Sequence, residues 1–162
     1  MQRPEPKVLV IYDTMWDSTG QMARAIHEGA CAADVDALLI HIRSWDLTRI
    51  ATEVLDAAAI AFGSSTLNRE MMPMASAVLT YLKGLRPVGK AGFAFGSYGW
   101  GKGGPEAVSE CLTAMKWELL RGPLKSQFHP TPEILNECRS AGKTLAEKAR
   151  RIAADHADDA TS

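Results

Sequence analysis

The sequence contains few of the residues that build metal centres or disulfide frameworks. Among its 162 residues there are only three cysteines, Cys31, Cys111 and Cys138, and four widely scattered histidines. An odd number of cysteines at wide spacing is not a disulfide framework, and it does not match a zinc-binding pattern. We therefore expect reduced thiols, which are typical of a cytoplasmic protein.

Charge of one sign and long hydrophobic runs are also scarce. The net charge is −1, which argues against a protein that binds nucleic acid by neutralising phosphates. No apolar run approaches the roughly 20 residues that span a membrane, and the N-terminal segment has no apolar signal-peptide core. We expect no nucleic-acid or membrane partner, with residues 1–6 as a linker or disordered end and residues 155–162 as a disordered acidic tail.

Short apolar runs and helical patterns alternate five times along the chain. Strands are predicted at residues 7–11, 36–42, 57–63 and 90–99, followed by a weaker, interrupted strand within residues 119–130. Helices are predicted at residues 20–31, 44–55, 71–85, 105–120 and 131–156, with Ser44 or Asp46 capping the second and Thr131 the last. Because the strands lack polar alternation, we expect a parallel sheet covered on both faces. The pattern predicts an α/β fold, a three-layer doubly wound sandwich.

Three loops at the carboxyl ends of predicted strands are richer in functional residue types than connectors need to be. We name them loop 1 (residues 14–19), loop 2 (residues 64–70) and loop 3 (residues 97–104). In doubly wound folds, ligands bind outside the carboxyl ends of the strands, where the strand order reverses. We therefore expect one binding site that these loops share.

Loop 1 has the composition of a phosphate site. Thr14, Ser18 and Thr19 place three hydroxyls just before a helix, whose free N–H groups and dipole attract anions. An N-cap would explain one hydroxyl, that of Ser18 or Thr19, but not all three. The loop has neither the GK[ST] ending of a P-loop nor the GxGxxG pattern, which favours one short phosphate over a triphosphate.

Loop 3 and its flanks carry five of the thirteen glycines, together with Tyr98 and Trp100. Glycine lets a backbone approach a ligand closely, and exposed aromatic side chains stack on flat rings. The loop alone equally fits a turn whose aromatic side chains fold back onto the core. Trp16 in loop 1 favours the first interpretation, and the polar groups of loop 2 suit the edge of such a ring. Together the loops predict a ligand with a phosphate at one end and a planar heteroaromatic ring at the other.

Four segments, YDTMWDST, GSSTLN, LTYLKGLRP and AFGSYGWGKGG, resemble in this order the flavodoxin-like domain of the A-type flavoproteins, or flavodiiron proteins. The resemblance covers roughly residues 7–150, and loop 1 has the length and hydroxyl ends of a flavodoxin phosphate loop. It implies a flavodoxin-like domain over residues 7–154, with a five-stranded parallel sheet in the order 2-1-3-4-5. It also implies FMN bound without covalent attachment.

The resemblance further implies which residues bind FMN. The phosphate would be held by Thr14, Met15, Trp16, Ser18 and Thr19. The polar side of the ring would be lined by Ser64, Thr66, Leu67 and Asn68, and its other wall would be formed by Ser97, Tyr98, Gly99, Trp100 and Gly101. Ser65 and Gly103 complete the cofactor-binding set. No residue is expected to be catalytic or to bind a metal.

Two departures from the family pattern affect the expected function. Family members often have proline where Ser65 stands, and small or amide residues where Arg69 and Glu70 stand. The sequence also lacks the HxExD cluster of the di-iron, metallo-β-lactamase-like domain. The resemblance therefore implies the flavin domain alone, either excised from a larger protein or acting as a stand-alone carrier that passes electrons one at a time.

The resemblance implies a redox protein as partner: a rubredoxin-like carrier, a reductase or a di-iron domain. Two other functions fit the same fold. One is an FMN-dependent NAD(P)H:quinone oxidoreductase, and the other is a flavin-free interaction module. The intact phosphate loop argues against the second.

Overall fold

A parallel sheet forms the centre of the computed structural model, which describes residues 4–162. Its strands, and those of a separate hairpin, are β1 Glu5–Asp13, β2 Asp36–His41, β3 Ala57–Ser64, β4 Thr66–Leu67, β5 Glu70–Met71, β6 Ala91–Tyr98, β7 Glu118–Leu119 and β8 Leu124–Gln127. The main sheet has the order β2-β1-β3-β6, and both β7 and β8 pair with β6 on its other side. All its pairings are parallel. Strands β4 and β5 pair antiparallel with each other outside this sheet.

The observed order confirms the predicted fold class, with the fifth strand position shared by two short strands. β7 pairs with the start of β6, at Ala91 and Gly92, whereas β8 pairs with its end, from Phe95 to Tyr98. The four residues between β7 and β8 include Pro123, which has no N–H to donate to a ladder. This explains why the fifth strand is interrupted, as the sequence predicted.

Five helices connect the strands: α1 Ser18–Ala32, α2 Leu47–Asp56, α3 Pro73–Leu85, α4 Gly104–Ala114 and α5 Pro132–Asp159. A 3₁₀ turn, Ile42–Ser44, precedes α2. Thr131 Oγ1 accepts a hydrogen bond from Ile134 N–H, which confirms its predicted role as the N-cap of α5. Of the two caps predicted for α2, Asp46 is the one observed, because its carboxylate accepts from Arg49 N–H.

Each face of the sheet has its own core because alternate residues of a strand point to opposite sides. In β1, Val8 packs in the core under α1 and α5, whereas Leu9 packs in the core under α2, α3 and α4. The crossing of α1 and α5 is especially close: a Cβ at Gly29 or Gly142 would collide with a backbone carbonyl of the opposite helix. With both faces covered, the strand ends are the place that the fold leaves open to a ligand.

The ends of the chain are more regular than the sequence suggested. β1 begins at Glu5 and so takes up residues 5–6 of the predicted linker, while residues 1–3 lie outside the described residues. Pro6 is tolerated because the register of β1 against β3 shifts between Glu5 and Val8. At the other end, α5 continues to Asp159, through most of the tail that was predicted to be disordered. Its alanine-rich end favours a helix despite the acidic residues.

The fourth helix is shorter than its apolar pattern predicted. α4 ends at Ala114 instead of residue 120, and Lys116 adopts a positive φ of 62°. The chain then enters β7 at Glu118. Trp117 and Leu119, which continue the helical pattern, are instead packed against the core beside the sheet. Their burial therefore comes from the strand end and not from the helix.

Candidate functional site

A cleft of about 580 Å³ opens at the carboxyl edge of the sheet. Loops 1, 2 and 3 meet there because they follow the adjacent strands β1, β3 and β6. Eleven of the sixteen predicted site residues line the cleft: Met15, Trp16, Ser18, Ser65, Thr66, Asn68, Ser97, Tyr98, Gly99, Trp100 and Gly101. The other five, Thr14, Thr19, Ser64, Leu67 and Gly103, are not part of its lining.

At one end of the cleft, loop 1 and the first turn of α1 have backbone N–H groups without acceptors. Asp17 is the N-cap of α1 and has a positive φ of 65°; its carbonyl accepts from Gln21 N–H. Within the described chain, the N–H groups of residues 16–20 donate no hydrogen bond. Consecutive free N–H groups at the positive end of a helix dipole form an anion site.

The Thr14 hydroxyl is a further unsatisfied group of loop 1, although Thr14 is not part of the cleft lining. Its oxygen is buried and has no hydrogen-bond partner among residues 4–162. By contrast, Thr14 N–H donates to Asp13 Oδ1 at 2.9 Å, and the same carboxylate oxygen accepts from Arg43 Nε at 3.0 Å. Because buried polar groups are nearly always paired, the free Thr14 hydroxyl suits an oxygen of a ligand.

The hydroxyls of Ser18 and Thr19 do not cap α1, since both residues are already helical. Asp17 occupies the N-cap position, and its side chain makes no capping hydrogen bond. It pairs instead with Arg24, two turns along the helix, with Oδ2 and Nη2 2.7 Å apart. This hydrogen bond lowers the pKa of the Asp17 carboxyl. The carboxylate beside the anion site is thus neutralised by its own cation.

Three hydroxyls, one from each loop, meet at the cleft, where Ser65 and Ser97 are lining residues and Thr19 is not. Thr19 Oγ1 lies 2.9 Å from Ser65 Oγ and 2.8 Å from Ser97 Oγ, and the two serine oxygens are 3.4 Å apart. All three residues are buried. We call Thr19, Ser65 and Ser97 the hydroxyl cluster. It directs the Thr19 hydroxyl, which the family resemblance associates with a phosphate, toward the two serines.

Loop 2 is a tight hairpin and not an open polar loop. Leu67 pairs with Glu70, which leaves Asn68 and Arg69 as its two turn residues. Both have positive φ angles, 50° and 64°, as a type I′ turn requires. Arg69 also lines the cleft, although it is not in the cofactor-binding set that the resemblance implied.

Other residues of loop 2 hold its conformation. Ser64 Oγ donates to the next carbonyl and accepts from Met72 N–H, both at 2.8 Å. Thr66 Oγ1 accepts from Gly104 N–H at 3.0 Å, which ties loop 2 to the start of α4. Leu67 packs against the core. Ser64 and Leu67 therefore support the loop from outside the cleft.

Exposed aromatic side chains also line the cleft. Trp100 is 98% exposed and Trp16 is 79% exposed, so neither is folded back onto the core. Trp100 contacts Phe128 edge to face, with ring centroids 5.8 Å apart, and Lys102 Nζ lies 5.5 Å from the centroid of the Tyr98 ring. Aromatic faces without protein cover suit a planar ring as ligand.

The glycines of loop 3 allow it to pack against the hairpin of loop 2. Gly103 has a φ of 148°, and a Cβ there would collide with the carbonyl of Arg69. A Cβ at Gly101 would lie 3.4 Å from Arg69 Cγ. Gly103 thus serves the close approach of two loops, while Gly101 both contacts Arg69 and lines the cleft.

A fourth loop contributes two lining residues that the sequence analysis missed. Phe128 and His129 follow β8, and His129 Nδ1 lies 3.2 Å from Ser18 Oγ. Phe128 adopts a positive φ of 58°. The available signal was position, because FHP follows a predicted strand at the same carboxyl edge as the other loops. The interrupted pattern of that strand concealed it.

The described residues contain no candidate metal-binding cluster. Between residues 4 and 162, no group of three or more His, Cys, Asp or Glu side chains could hold a metal ion. In the same part of the chain, no helix has the length and apolar character to cross a bilayer. The three cysteines are free, and burial raises the pKa of the Cys138 thiol to about 12.

The site and the fold together define a class of protein. A cleft at the carboxyl edge of a doubly wound parallel sheet is lined by uncovered aromatic rings, and loop 1 beside it carries free N–H groups and a free hydroxyl. These features fit the phosphate and the flat ring of a flavin mononucleotide, as in a flavodoxin-like domain. The chain belongs to the flavodoxin family, whose model, described as Flavodoxin, matches residues 10–142. FMN is the cofactor of this family, and electron transfer is its role.

Similar proteins of known name are longer than this chain. It is 39% identical over 143 residues to a nitric oxide reductase of Moorella thermoacetica, which covers 88% of this chain and 36% of that protein. It is 34% identical over 145 residues to the rubredoxin-oxygen oxidoreductase of Megalodesulfovibrio gigas, covering 90% of this chain and 36% of the relative. The chain thus spans little more than a third of these curated relatives.

Solved structures give the same result for the fold. The flavodiiron protein of Giardia intestinalis superimposes with a TM-score of 0.90 and 34% identity, over 96% of this chain and 39% of that one. A flavodoxin from the domain Archaea superimposes with a TM-score of 0.77 and 33% identity, over 89% of this chain and 99% of that one. The resemblance to the flavin domain of flavodiiron proteins is confirmed.

Proposed function

We propose that this domain binds FMN noncovalently in the cleft and passes electrons, one at a time, between protein partners. The observation that carries the proposal is the combination of groups around the cleft. Loop 1 and the start of α1 offer unpaired N–H groups at residues 16–20 and the free Thr14 hydroxyl, and uncovered aromatic rings line the cleft. Bound FMN supplies the redox chemistry, whereas the protein binds and orients it.

The residues of the cleft divide into two groups by the part of FMN they would hold. At the phosphate end, the N–H groups of Trp16 and Ser18 and the Thr14 hydroxyl would donate hydrogen bonds to phosphate oxygens. At the ring end, Tyr98 and Trp100 would cover the ring, and the hairpin of loop 2 would bring Asn68 to its polar edge. The hydroxyl cluster links the three loops that carry these groups.

The partner would be a redox protein that docks on the rim of the cleft. Rubredoxin-like carriers, reductases and di-iron domains are the candidates, since similar proteins are named rubredoxin-oxygen oxidoreductase, nitric oxide reductase and flavodiiron protein. Arg69 and Lys102 place positive charge beside the cleft, which favours a partner with an acidic surface. The free cysteines, including the exposed Cys31, suit a reducing cytoplasm.

The test is to identify the ligand that copurifies with the protein. We expect a visible spectrum of oxidised flavin, and FMN as the mass of the ligand released by denaturation. A loop that offers one anion site without a P-loop lysine should accept a single terminal phosphate. FAD in place of FMN, or no binding even after reconstitution with FMN, would contradict the proposal.

Steady-state assays separate an electron carrier from an oxidoreductase of the same fold. The carrier should be reduced and reoxidised by protein partners, with negligible turnover of NADH or NADPH with a quinone. Sustained NAD(P)H:quinone turnover by the reconstituted protein would favour the enzyme instead.

A further inference from the structure

Ser65 is tied to loop 1 at three points. Its N–H donates to the Asp13 carbonyl at 3.3 Å, and its Oγ accepts from Met15 N–H at 3.3 Å. The same Oγ lies 2.9 Å from Thr19 Oγ1, in the first turn of α1. Asp13, Met15 and Thr19 lie before, within and at the end of loop 1. One serine of loop 2 therefore contacts loop 1 near both of its ends, at Met15 and Thr19, and the residue that precedes it.

The same hydroxyl reaches loop 3 through the hydroxyl cluster. Ser97 Oγ lies 2.8 Å from Thr19 Oγ1 and 3.4 Å from Ser65 Oγ, and Ser97 N–H donates to Thr19 Oγ1 at 3.1 Å. Thr19 is fully buried, and Ser65 and Ser97 are only 4% and 7% exposed. Water cannot readily replace these bonds, because the cluster is closed from solvent.

The anion site and the hydroxyl cluster share the same short segment of chain. The Ser65 hydroxyl contacts Met15 and Thr19. The free N–H groups belong to residues 16–20, which lie between these two contacts or next to them. The conformation that leaves these N–H groups free therefore depends on contacts made by a residue of another loop. Ser65 itself also lines the cleft.

We propose that Ser65 is a positioning residue that acts through Met15 and Thr19 to keep the anion site preorganised, and thereby sets the preference for FMN over riboflavin. This inference rests on the proposed binding of FMN. Thr19 belongs to the same cluster, since its hydroxyl bonds both serines. Loss of the Ser65 hydroxyl loosens loop 1, so the bound phosphate must order it, and preorganisation no longer contributes to affinity.

The test is a double-mutant cycle read as a ratio of dissociation constants. FMN and riboflavin are titrated into the apoprotein and followed by flavin fluorescence, for the wild type, Ser65→Ala, Thr19→Val and the double variant. We expect each single variant to lower the riboflavin-to-FMN ratio of dissociation constants about tenfold. The double variant should lower the ratio by the same factor of about ten, because one network is removed in all three.

Two further variants control for direct effects. Thr19→Ser keeps the hydroxyl and should retain the wild-type ratio, whereas Ser76→Ala removes an exposed serine of α3 and should change nothing. Circular dichroism and thermal unfolding of each apoprotein verify the fold. If Ser65→Ala does not fold, Ser97→Ala replaces it in the cycle with the same expectation.

The outcomes distinguish the possible failures. A double variant whose loss is the product of the single losses, about a hundredfold, would show that Thr19 and Ser65 act independently, and would overturn the inference. So would an unchanged ratio, or tighter FMN binding by Ser65→Ala after release of Met15 N–H. A wild-type protein that binds neither flavin would instead refute the proposed function.

Discussion

The two edges of the sheet differ in whether some of their buried polar atoms find partners within the chain. At the carboxyl edge, Asp13 Oδ2, Thr14 Oγ1 and His41 Nε2 are buried without hydrogen-bond partners in the described chain. At the amino edge, the buried Lys90 Nζ donates to the carbonyls of Leu55 and Ala57, at 2.8 and 2.6 Å. Both edges bury polar atoms. The ammonium of Lys90 at the amino edge is paired within the chain, whereas these three atoms at the carboxyl edge are not.

The difference separates a binding edge from a stabilising edge. An unpaired buried polar group costs free energy, so it persists where something outside the chain completes it. Trp117, near the amino edge, is buried and donates from Nε1 to the Pro87 carbonyl at 3.0 Å. Substitutions near the amino edge should therefore change the free energy of unfolding, and those at the carboxyl edge should change ligand affinity.

The largest effect is expected for Trp117→Ala. Removing a buried tryptophan leaves a cavity and an unpaired carbonyl, which should lower the free energy of unfolding by about 3–5 kcal/mol. Flavin affinity should stay at the wild-type value. Urea denaturation of the apoprotein measures the first and fluorescence titration the second. A change of less than about 1 kcal/mol, or a large change in affinity, would remove the distinction between the edges.

Thr14→Ala should have the opposite profile. It removes the free hydroxyl that we assign to the phosphate, a hydrogen bond to a charged group worth about 1.5–3 kcal/mol of FMN affinity. Riboflavin affinity and the free energy of unfolding should hardly change, and Thr14→Ser should retain FMN binding. Equal losses for riboflavin and FMN would show that Thr14 does not contact the phosphate.

Lys90 should make stability depend on pH at the amino edge. Burial lowers the pKa of its ammonium from 10.5 to about 8, so the unfolded chain binds the proton more tightly than the folded protein. The free energy of unfolding should therefore rise as the pH increases from about 8 toward 10.5, by about 2 kcal/mol between pH 8 and pH 10. Lys90→Met should lose this increment in denaturation experiments, and an identical pH dependence in both proteins would contradict the assignment.

The parallel sheet and the grouping of the loops could be predicted because they follow from local patterns, whereas the strand order came from the family resemblance. Unalternating apolar strands such as residues 57–63 require cover on both faces, and parallel strands place their following loops at one edge. The positions of Trp16 and Trp100 in the cleft follow from that topology. These inferences need only the spacing of the apolar residues and the order of the predicted strands and helices.

The hydroxyl cluster could not be predicted, since it joins residues 19, 65 and 97, which are far apart in sequence. A threonine at a helix start suits a phosphate or a neighbouring serine equally well, and only the packing of three loops decides between them. The same holds for His129, whose contact with Ser18 depends on where an interrupted strand ends. The direction of a side chain within a site that several loops share thus depends on tertiary packing.

Arg69 should produce the smallest effect, and it tests whether the carboxyl edge tunes the cofactor as well as binding it. Its side chain lines the cleft and lies over Gly101, and none of the ion pairs among residues 4–162 joins it to Glu70. A flavin becomes anionic on full reduction, and a nearby positive charge favours the charged form. Arg69 should therefore raise the potential of the second one-electron step.

Because Arg69 is exposed, solvent screens its charge, and the contribution should be about 1 kcal/mol, or about 40 mV for one electron. Arg69→Ala should lower the second potential by that amount in a redox titration, and the difference should shrink at high salt. Arg69→Lys keeps the charge and should stay close to the wild type. An unchanged or higher second potential in Arg69→Ala would mean that this edge binds the flavin without tuning it, because a cation that lines the cleft but leaves the anionic state unaffected must be directed into solvent.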